Sequence, residues 1–238
     1  MLAVRDLPNK VVVSERADPY RLLKKRYGYN FIKKYYQRAD AVVFQTNDAK
    51  AAYPDNISAK GTVIFNPIND KLPEPYFGER EKYITTFCRV SRQKNLPVLV
   101  KAFAEFHKEF NDYRLKIIGE PQNDDDRASL AETKSLADKL GITEYIDFMP
   151  FSSEVHSLII RDAMYVNSSD YEGMSNAMLE AMAIGMPVIC TDCPIGGANA
   201  VIKNGEFKRN VIDDGMKGDN TYKCNRNMRV LEITEDGN

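Results

Sequence analysis

Two acidic residues frame a segment that can both turn and begin a helix: Glu172-Gly173-Met174-Ser175-Asn176-Ala177-Met178-Leu179-Glu180. Gly173 lets the backbone turn tightly, and a helix can start near Ser175. The first N–H groups of a helix lack intrahelical partners, so the amides of Met174, Ser175 and Asn176 are expected to face outward as an anion cradle. Helical side chains lean toward the N-terminus, which brings the Glu180 carboxylate back to that end; Glu172 reaches the same place from the loop. Two carboxylates beside an anion repel it, unless they bind hydroxyls on either side of the charge. A nucleotide sugar has that layout, with pyrophosphate between ribose and hexose. A capped helix whose acids favour the N-terminal dipole fits the same spacing, and spacing alone does not separate the two.

A second cluster is cationic. Arg89 follows the apolar run Tyr83–Cys88, and Lys94 comes five residues later, where the next helical pattern begins. Arg can bond a diphosphate bidentately and Lys adds a mobile point charge. A solvated loop pair explains these two residues equally well.

The elements that must position these groups read as alternating strands and helices. Val11–Val13, Ala41–Phe44, Thr62–Phe65, Tyr83–Cys88, Arg114–Ile118, Ile146–Phe148, Met164–Val166 and Val188–Cys190 are short β-branched runs. Between them, Leu99, Phe103, Phe106 and Phe110 share a helical face, and Asp126–Leu140 is rich in helix formers and ends at Gly141. This alternation implies βαβ units and a parallel sheet, and strands apolar on both faces imply a sheet covered on both sides. In such a sheet ligands bind beyond the carboxyl ends of the strands, where Arg89 and Gly173 both fall.

Composition narrows the function classes. The 238 residues carry 33 Lys+Arg against 34 Asp+Glu, and a net charge of −1 argues against a nucleic-acid partner. No apolar run approaches the roughly 18 residues of a membrane span, and residues 1–21 lack a signal-peptide layout. Cys88, Cys190, Cys193 and Cys224 are too few and too scattered for a disulfide scaffold. The chain reads as cytosolic.

With these residues in view, a family resemblance becomes specific. Glu172 and Glu180, with seven residues between them, resemble the Glu-x7-Glu motif of the retaining GT-B glycosyltransferase family 4. The helix through Leu179-Glu180-Ala181-Met182-Ala183 and the strand Gly185-Met186-Pro187-Val188-Ile189-Cys190 stand in family order, and Cys88-Arg89-Val90-Ser91-Arg92-Gln93-Lys94 resembles the Arg-x4-Lys phosphate clamp. Ser14-Glu15-Arg16-Ala17-Asp18-Pro19 and Arg38-Ala39-Asp40-Ala41-Val42-Val43-Phe44-Gln45-Thr46 are similar to segments of a bacterial polysaccharide-type subset, ahead of an Asn66-Pro67-Ile68 linker. The resemblance covers about residues 11–206.

It implies an α/β chain of GT-B type: a doubly wound, Rossmann-like donor domain at 67–206 after a partial acceptor-side domain at 1–66. The divergent tail, 207–238, is expected to be irregular. It implies transfer of a hexose from a nucleotide-sugar donor, a UDP-sugar above all, to a glycan or lipid-linked acceptor with retention of configuration. Arg89 and Lys94 would hold the diphosphate and stabilise leaving-group charge. Glu180 would bind the ribose and Glu172 the transferred sugar. Gly173, Met174, Ser175 and Asn176 would complete the cradle, and Met149-Pro150-Phe151 would lie by the base. Glu172, Arg89 and Lys94 are thus the catalytic candidates. No cofactor or metal is implied, and the nucleotide sugar is a substrate. The early strands of a whole first domain have no counterpart here, so a truncated, non-catalytic nucleotide-sugar-binding module is the alternative. A nucleotide-sugar epimerase of the same architecture is disfavoured by the motif arrangement.

Three features invite other readings. Asp124-Asp125-Asp126 superficially fits a metal-binding Asp-x-Asp, but its place before a helical pattern predicts a cap. Cys190-Thr191-Asp192-Cys193 has zinc-like spacing without a second pair, which predicts buried strand-end thiols. The basic, aromatic stretch 21–36 could touch the inner face of a membrane, which suits a lipid-linked acceptor, although a helix packing its aromatics on the sheet is the expected account. His107, read on the polar side of its helix, and His156 are assigned no role.

Overall fold

The computed structural model describes residues 8–16, 18, 26–193, 197–203, 206–207 and 229–230. They form two compact units, and the second is the larger. It comprises Ile68–Asp170, Asn176–Asp192 and Ile202–Asn238; the first comprises Met1–Pro67, Tyr171–Ser175 and Cys193–Val201.

In the first unit, β1 (Val12–Glu15), β2 (Ala41–Phe44) and β3 (Gly61–Val63) form a parallel sheet in that order. Helices α1 (Arg26–Tyr35), α2 (Asn47–Ala51) and α3 (Asp55–Ser58) connect them. Ile32, Val42, Phe44, Tyr53 and Ile57 make a small core. Buried among these groups, the Glu15 carboxylate accepts hydrogen bonds from the Tyr36 hydroxyl at 3.0 Å and the Tyr53 hydroxyl at 2.5 Å. Burial and the adjacent carboxylate push both phenols well above their usual range, so both remain donors. The basic stretch is helical from Arg26, and Arg21–Lys25 lie outside the described residues. Within it Tyr36 stacks on Tyr53, whereas Phe31 is exposed.

The loop Tyr171–Ser175 is held within this first unit by side-chain amides. The Met174 N–H donates to Gln45 Oε1 at 3.2 Å, Asn66 Nδ2 donates to the Met174 carbonyl at 3.1 Å, and Gln45 Nε2 donates to Asn66 Oδ1. Gly173 accepts from the N–H of Gly197, the first residue of α8 (Gly197–Val201).

In the second unit a six-stranded sheet runs in the order β11-β8-β7-β4-β5-β6. Its strands are β4 (Glu81–Phe87), β5 (Arg114–Ile118), β6 (Ile146–Met149), β7 (Asp162–Asn167), β8 (Val188–Cys190) and β11 (Arg229–Val230). β4 through β8 are mutually parallel, and β11 joins β8 antiparallel. The short antiparallel pair β9 (Ile202–Lys203) and β10 (Glu206–Phe207) precedes it. A tail read from its composition as irregular therefore contributes an edge strand through Arg229–Val230. Backbone pairing needs no apolar periodicity, so composition did not announce it.

Among the described residues, four helices connect or follow these strands: α4 (Leu96–His107), α5 (Asp124–Lys139), α6 (Val155–Ile159) and α7 (Asn176–Ala183). α4 buries Leu96, Leu99, Val100, Phe103 and Ala104 against the sheet, a spacing of three and four residues that keeps one face inward. The helix ends at His107, so Phe110, expected on this face, lies beyond it and is exposed. His107 is not on a polar side. It is buried between the rings of Phe103 and Tyr145, with centroids 5.4 and 4.0 Å away. Among the described residues no helix is long and apolar enough to cross a membrane.

Candidate functional site

The strand order of the second unit reverses between β4 and β7, since β5 and β6 lie on one side of β4 while β7 and β8 lie on the other. Connections diverge at such a point and leave a crevice at the carboxyl ends of the strands. A cavity of about 490 Å³ occupies that edge, lined by Phe87 at the end of β4, by Cys88 and Arg89 just after it, and by Ala177 and Glu180 of α7. Ile118 at the end of β5, Glu120, Pro121 and Gln122 after it, and Phe151, Ser152 and Val155 after β6 complete its wall. The size lies within the range of about 300–1,000 Å³ that small-molecule sites occupy.

Glycine at 119 makes this wall compact. Gly119 has a φ of +151°, and a β-carbon there would fall 1.9 Å from the Cys88 carbonyl oxygen. With no side chain in the way, the loops after β4 and β5 run on side by side: the Cys88 N–H donates to Ile118 and the Val90 N–H to Glu120. The Gly119 N–H donates to the Met149 carbonyl, so the loop after β6 is tied to the same edge.

Arg89 is exposed beside the cavity and enters no ion pair among the described residues, whereas Arg92 is engaged by Asp125 and Glu132 at 2.9 and 3.3 Å. Of the two arginines on this loop, the one at the cavity is thus the one available to an incoming anion. Lys94 does not line the cavity. It ends a 3-10 turn, Arg92–Lys94, and its carbonyl accepts from the Ser168 hydroxyl. Asn95 then takes a left-handed conformation, φ +44°, that redirects the chain into α4.

Ala177 and Glu180 are three residues apart on α7 and so share the face toward the cavity. The Glu180 carboxylate meets a group that the sequence reading left without a role: His156 Nε2 lies 3.0 Å from Glu180 Oε2. Phe151 lines the cavity with its side chain largely in solvent, 69% exposed, while Met149 contributes a backbone carbonyl to the Gly119 contact and does not line the cavity.

Glu172, Gly173, Met174 and Ser175 belong to the loop of the first unit, and Asn176 begins α7. Two expectations for this loop are corrected. The Met174 amide does not face outward; it is already donated to Gln45, and Met174 and Ser175 are both buried. Gly173 is required less for a turn than for clearance, since a β-carbon there would lie 2.5 Å from the Arg16 carbonyl oxygen.

The acidic run 124–126 takes part in local contacts. Asn123 caps α5 by accepting from the Asp126 N–H, Asp126 accepts from the Gln122 N–H, and Asp124 pairs with Arg127. Asp125 is taken by Arg92. Among the described residues no group of three or more His, Cys, Asp or Glu side chains could hold a metal ion. Cys88 is half-buried at the cavity, Cys190 and Cys193 are buried, and Cys224 lies outside the described residues.

Sequence reasoning missed Glu120, Gln122, Ser152 and His156. The strand-end rule that singled out Arg89 after β4 applies equally after β5 and β6 and would have marked the first three. Nothing in the local sequence marks His156, whose partner is 24 residues away.

Comparison with known proteins bears on the family and the fold. Residues 69–220 match the family model described as glycosyl transferases group 1. An uncharacterized glycosyltransferase of Haemophilus influenzae is 27% identical over 184 residues, which is 75% of this chain and 50% of that protein. The N-acetylgalactosamine-N,N'-diacetylbacillosaminyl-diphospho-undecaprenol 4-alpha-N-acetylgalactosaminyltransferase of Campylobacter jejuni is 22% identical over 83% of this chain and 55% of that protein. Among solved structures, Anabaena HepE in complex with UDP and glucose superposes with a TM-score of 0.72 at 17% identity, covering 86% of this chain and 58% of that one. The chain spans about half the length of these two curated relatives. The parallel α/β architecture is that of GT-B glycosyltransferases.

Proposed function

Because the chain belongs to the glycosyl transferases group 1 family, we propose that the cavity of its second unit receives a nucleotide-sugar donor whose hexose is transferred, with retention, to a glycan or lipid-linked acceptor. The observation that carries this reading is the convergence of Arg89, Glu180 and Phe151 on one cavity at the reversal point of the sheet. A cation, a carboxylate and an exposed aromatic ring are three different chemistries, and UDP offers a partner to each. The diphosphate takes the Arg89 guanidinium, the ribose hydroxyls donate to Glu180, and the uracil face meets Phe151. UDP is the nucleotide named in the HepE complex, and an undecaprenol-linked acceptor is named for the Campylobacter relative; both support the substrate classes.

In the transfer step negative charge grows on the leaving diphosphate, and a preplaced guanidinium stabilises it most as the bond breaks. Lys94 adds charge from the 3-10 turn that precedes α4. No metal is needed in this scheme, because cations already meet the diphosphate. Retention follows the family resemblance, in which a leaving-group phosphate oxygen takes the acceptor's proton and no protein nucleophile is required.

A second reading, a donor-binding module without transfer, is favoured by one fact: every residue lining the cavity lies between Phe87 and Glu180 of the second unit. Calorimetric titration of UDP together with a turnover assay using labelled UDP-sugars separates the two. Binding with turnover near 1 s⁻¹ or above, the low end of typical enzymes, establishes the transferase; binding without turnover establishes the module. Absence of UDP binding removes both.

A further inference from the structure

His156 stands in a setting that suits it to act on Glu180. Its Nε2 lies 3.0 Å from Glu180 Oε2, with the two side chains only 14% and 21% exposed. The imidazole meets the Phe87 ring edge to face, with centroids 5.5 Å apart and planes at 85°, and Phe87 rests in turn on buried Tyr165 at 5.1 Å. The ring is thereby backed by Phe87 of β4 while its nitrogen is aimed at α7. A carboxylate only accepts, so the proton of this contact belongs to Nε2.

We propose that His156 is a positioning residue: its Nε2–H holds Glu180 Oε2 and leaves Oε1 to accept from the ribose hydroxyls of the bound nucleotide. The proposal rests on Glu180 being the ribose-binding carboxylate. A glutamate has three side-chain torsions, and fixing them during binding costs conformational entropy. A carboxylate already held by His156 has met that cost in folding, so more of the hydroxyl contact appears as affinity.

The test compares UDP with 2′,3′-dideoxy-UDP, which keeps base and diphosphate and lacks the hydroxyls. Both are titrated calorimetrically into the 238-residue chain and its variants, with melting curves recorded alongside. Wild type favours UDP, and Glu180→Ala abolishes the preference. His156→Leu lowers UDP affinity about tenfold, the loss of roughly one charge-assisted hydrogen bond, and leaves dideoxy-UDP affinity unchanged. His156→Gln, whose amide nitrogen can reach the same oxygen, retains most of the preference. Should His156→Leu fail to fold, His156→Asn, polar but too short to reach, is expected to show the same loss. A structural role alone would weaken both ligands together, and that result overturns the proposal. A preference abolished by Glu180→Ala but intact in both His156→Leu and His156→Asn overturns the positioning role only. A preference that survives Glu180→Ala overturns the ribose reading and the positioning role with it.

Discussion

Arg89 and Arg92 stand three residues apart on one loop, and their surroundings give them different work. Arg92 is held by Asp125 and Glu132, with its own side chain 57% exposed. Exposed pairs of this kind contribute about 0–1 kcal/mol, so Arg92→Ala is expected to change melting only slightly and to leave UDP affinity nearly unaltered. Arg89 faces the cavity, and a charge-assisted hydrogen bond to phosphate contributes about 1.5–3 kcal/mol. Arg89→Ala is therefore expected to weaken UDP binding roughly ten- to a hundred-fold at unchanged melting temperature, with Lys94→Ala weakening it less; titration calorimetry on the three variants checks the order. The sequence announced Arg89 because it directly follows an apolar strand. It did so for Glu180 too, because helical side chains lean toward the N-terminus. It could not announce that Met174 gives its amide to Gln45, since that bond joins residues 129 positions apart. Local pattern shows which groups a helix end exposes, while long-range partners decide whether those groups stay open.

At the scale of elements, the strand ends are set by what the pleats must bury or avoid. Ala41–Phe44, Arg114–Ile118 and Val188–Cys190 coincide with their apolar runs. β7 begins two residues before its run because Asp162, wholly buried, accepts from Thr85 on the adjacent β4 and from Lys116 on β5, one strand further, at 2.8 Å. A polar residue inside a sheet is invisible to an apolar pattern. The cavity wall depends on Gly119 in the same way. Gly119→Ala would drive a β-carbon into the Cys88 carbonyl, in a backbone conformation that side chains rarely adopt. The strands would have to part, at a cost of about 1–3 kcal/mol or more. The expected result is a lowered melting temperature together with lost UDP binding. In the first unit, Tyr53→Phe would take one of two phenol donors from the buried Glu15 carboxylate. A destabilisation of about 1–3 kcal/mol is expected, read by urea unfolding, with UDP affinity unchanged.

For the molecule as a whole, the central claim is that a sheet edge furnished with Arg89, Glu180 and Phe151 binds a nucleoside diphosphate without a metal. Asp124, Asp125 and Asp126 are each committed to a neighbour, so a chelator should leave UDP affinity unchanged and added magnesium should not raise it. Titration in EDTA and in magnesium checks that independence. The most direct test is a crystal structure of the 238-residue chain grown with UDP and EDTA. The expected density places the diphosphate within hydrogen-bond distance of the Arg89 guanidinium, the ribose hydroxyls on Glu180 and the uracil beside Phe151. Density for UDP at any other surface, or at this cavity with its diphosphate turned away from Arg89, contradicts the account.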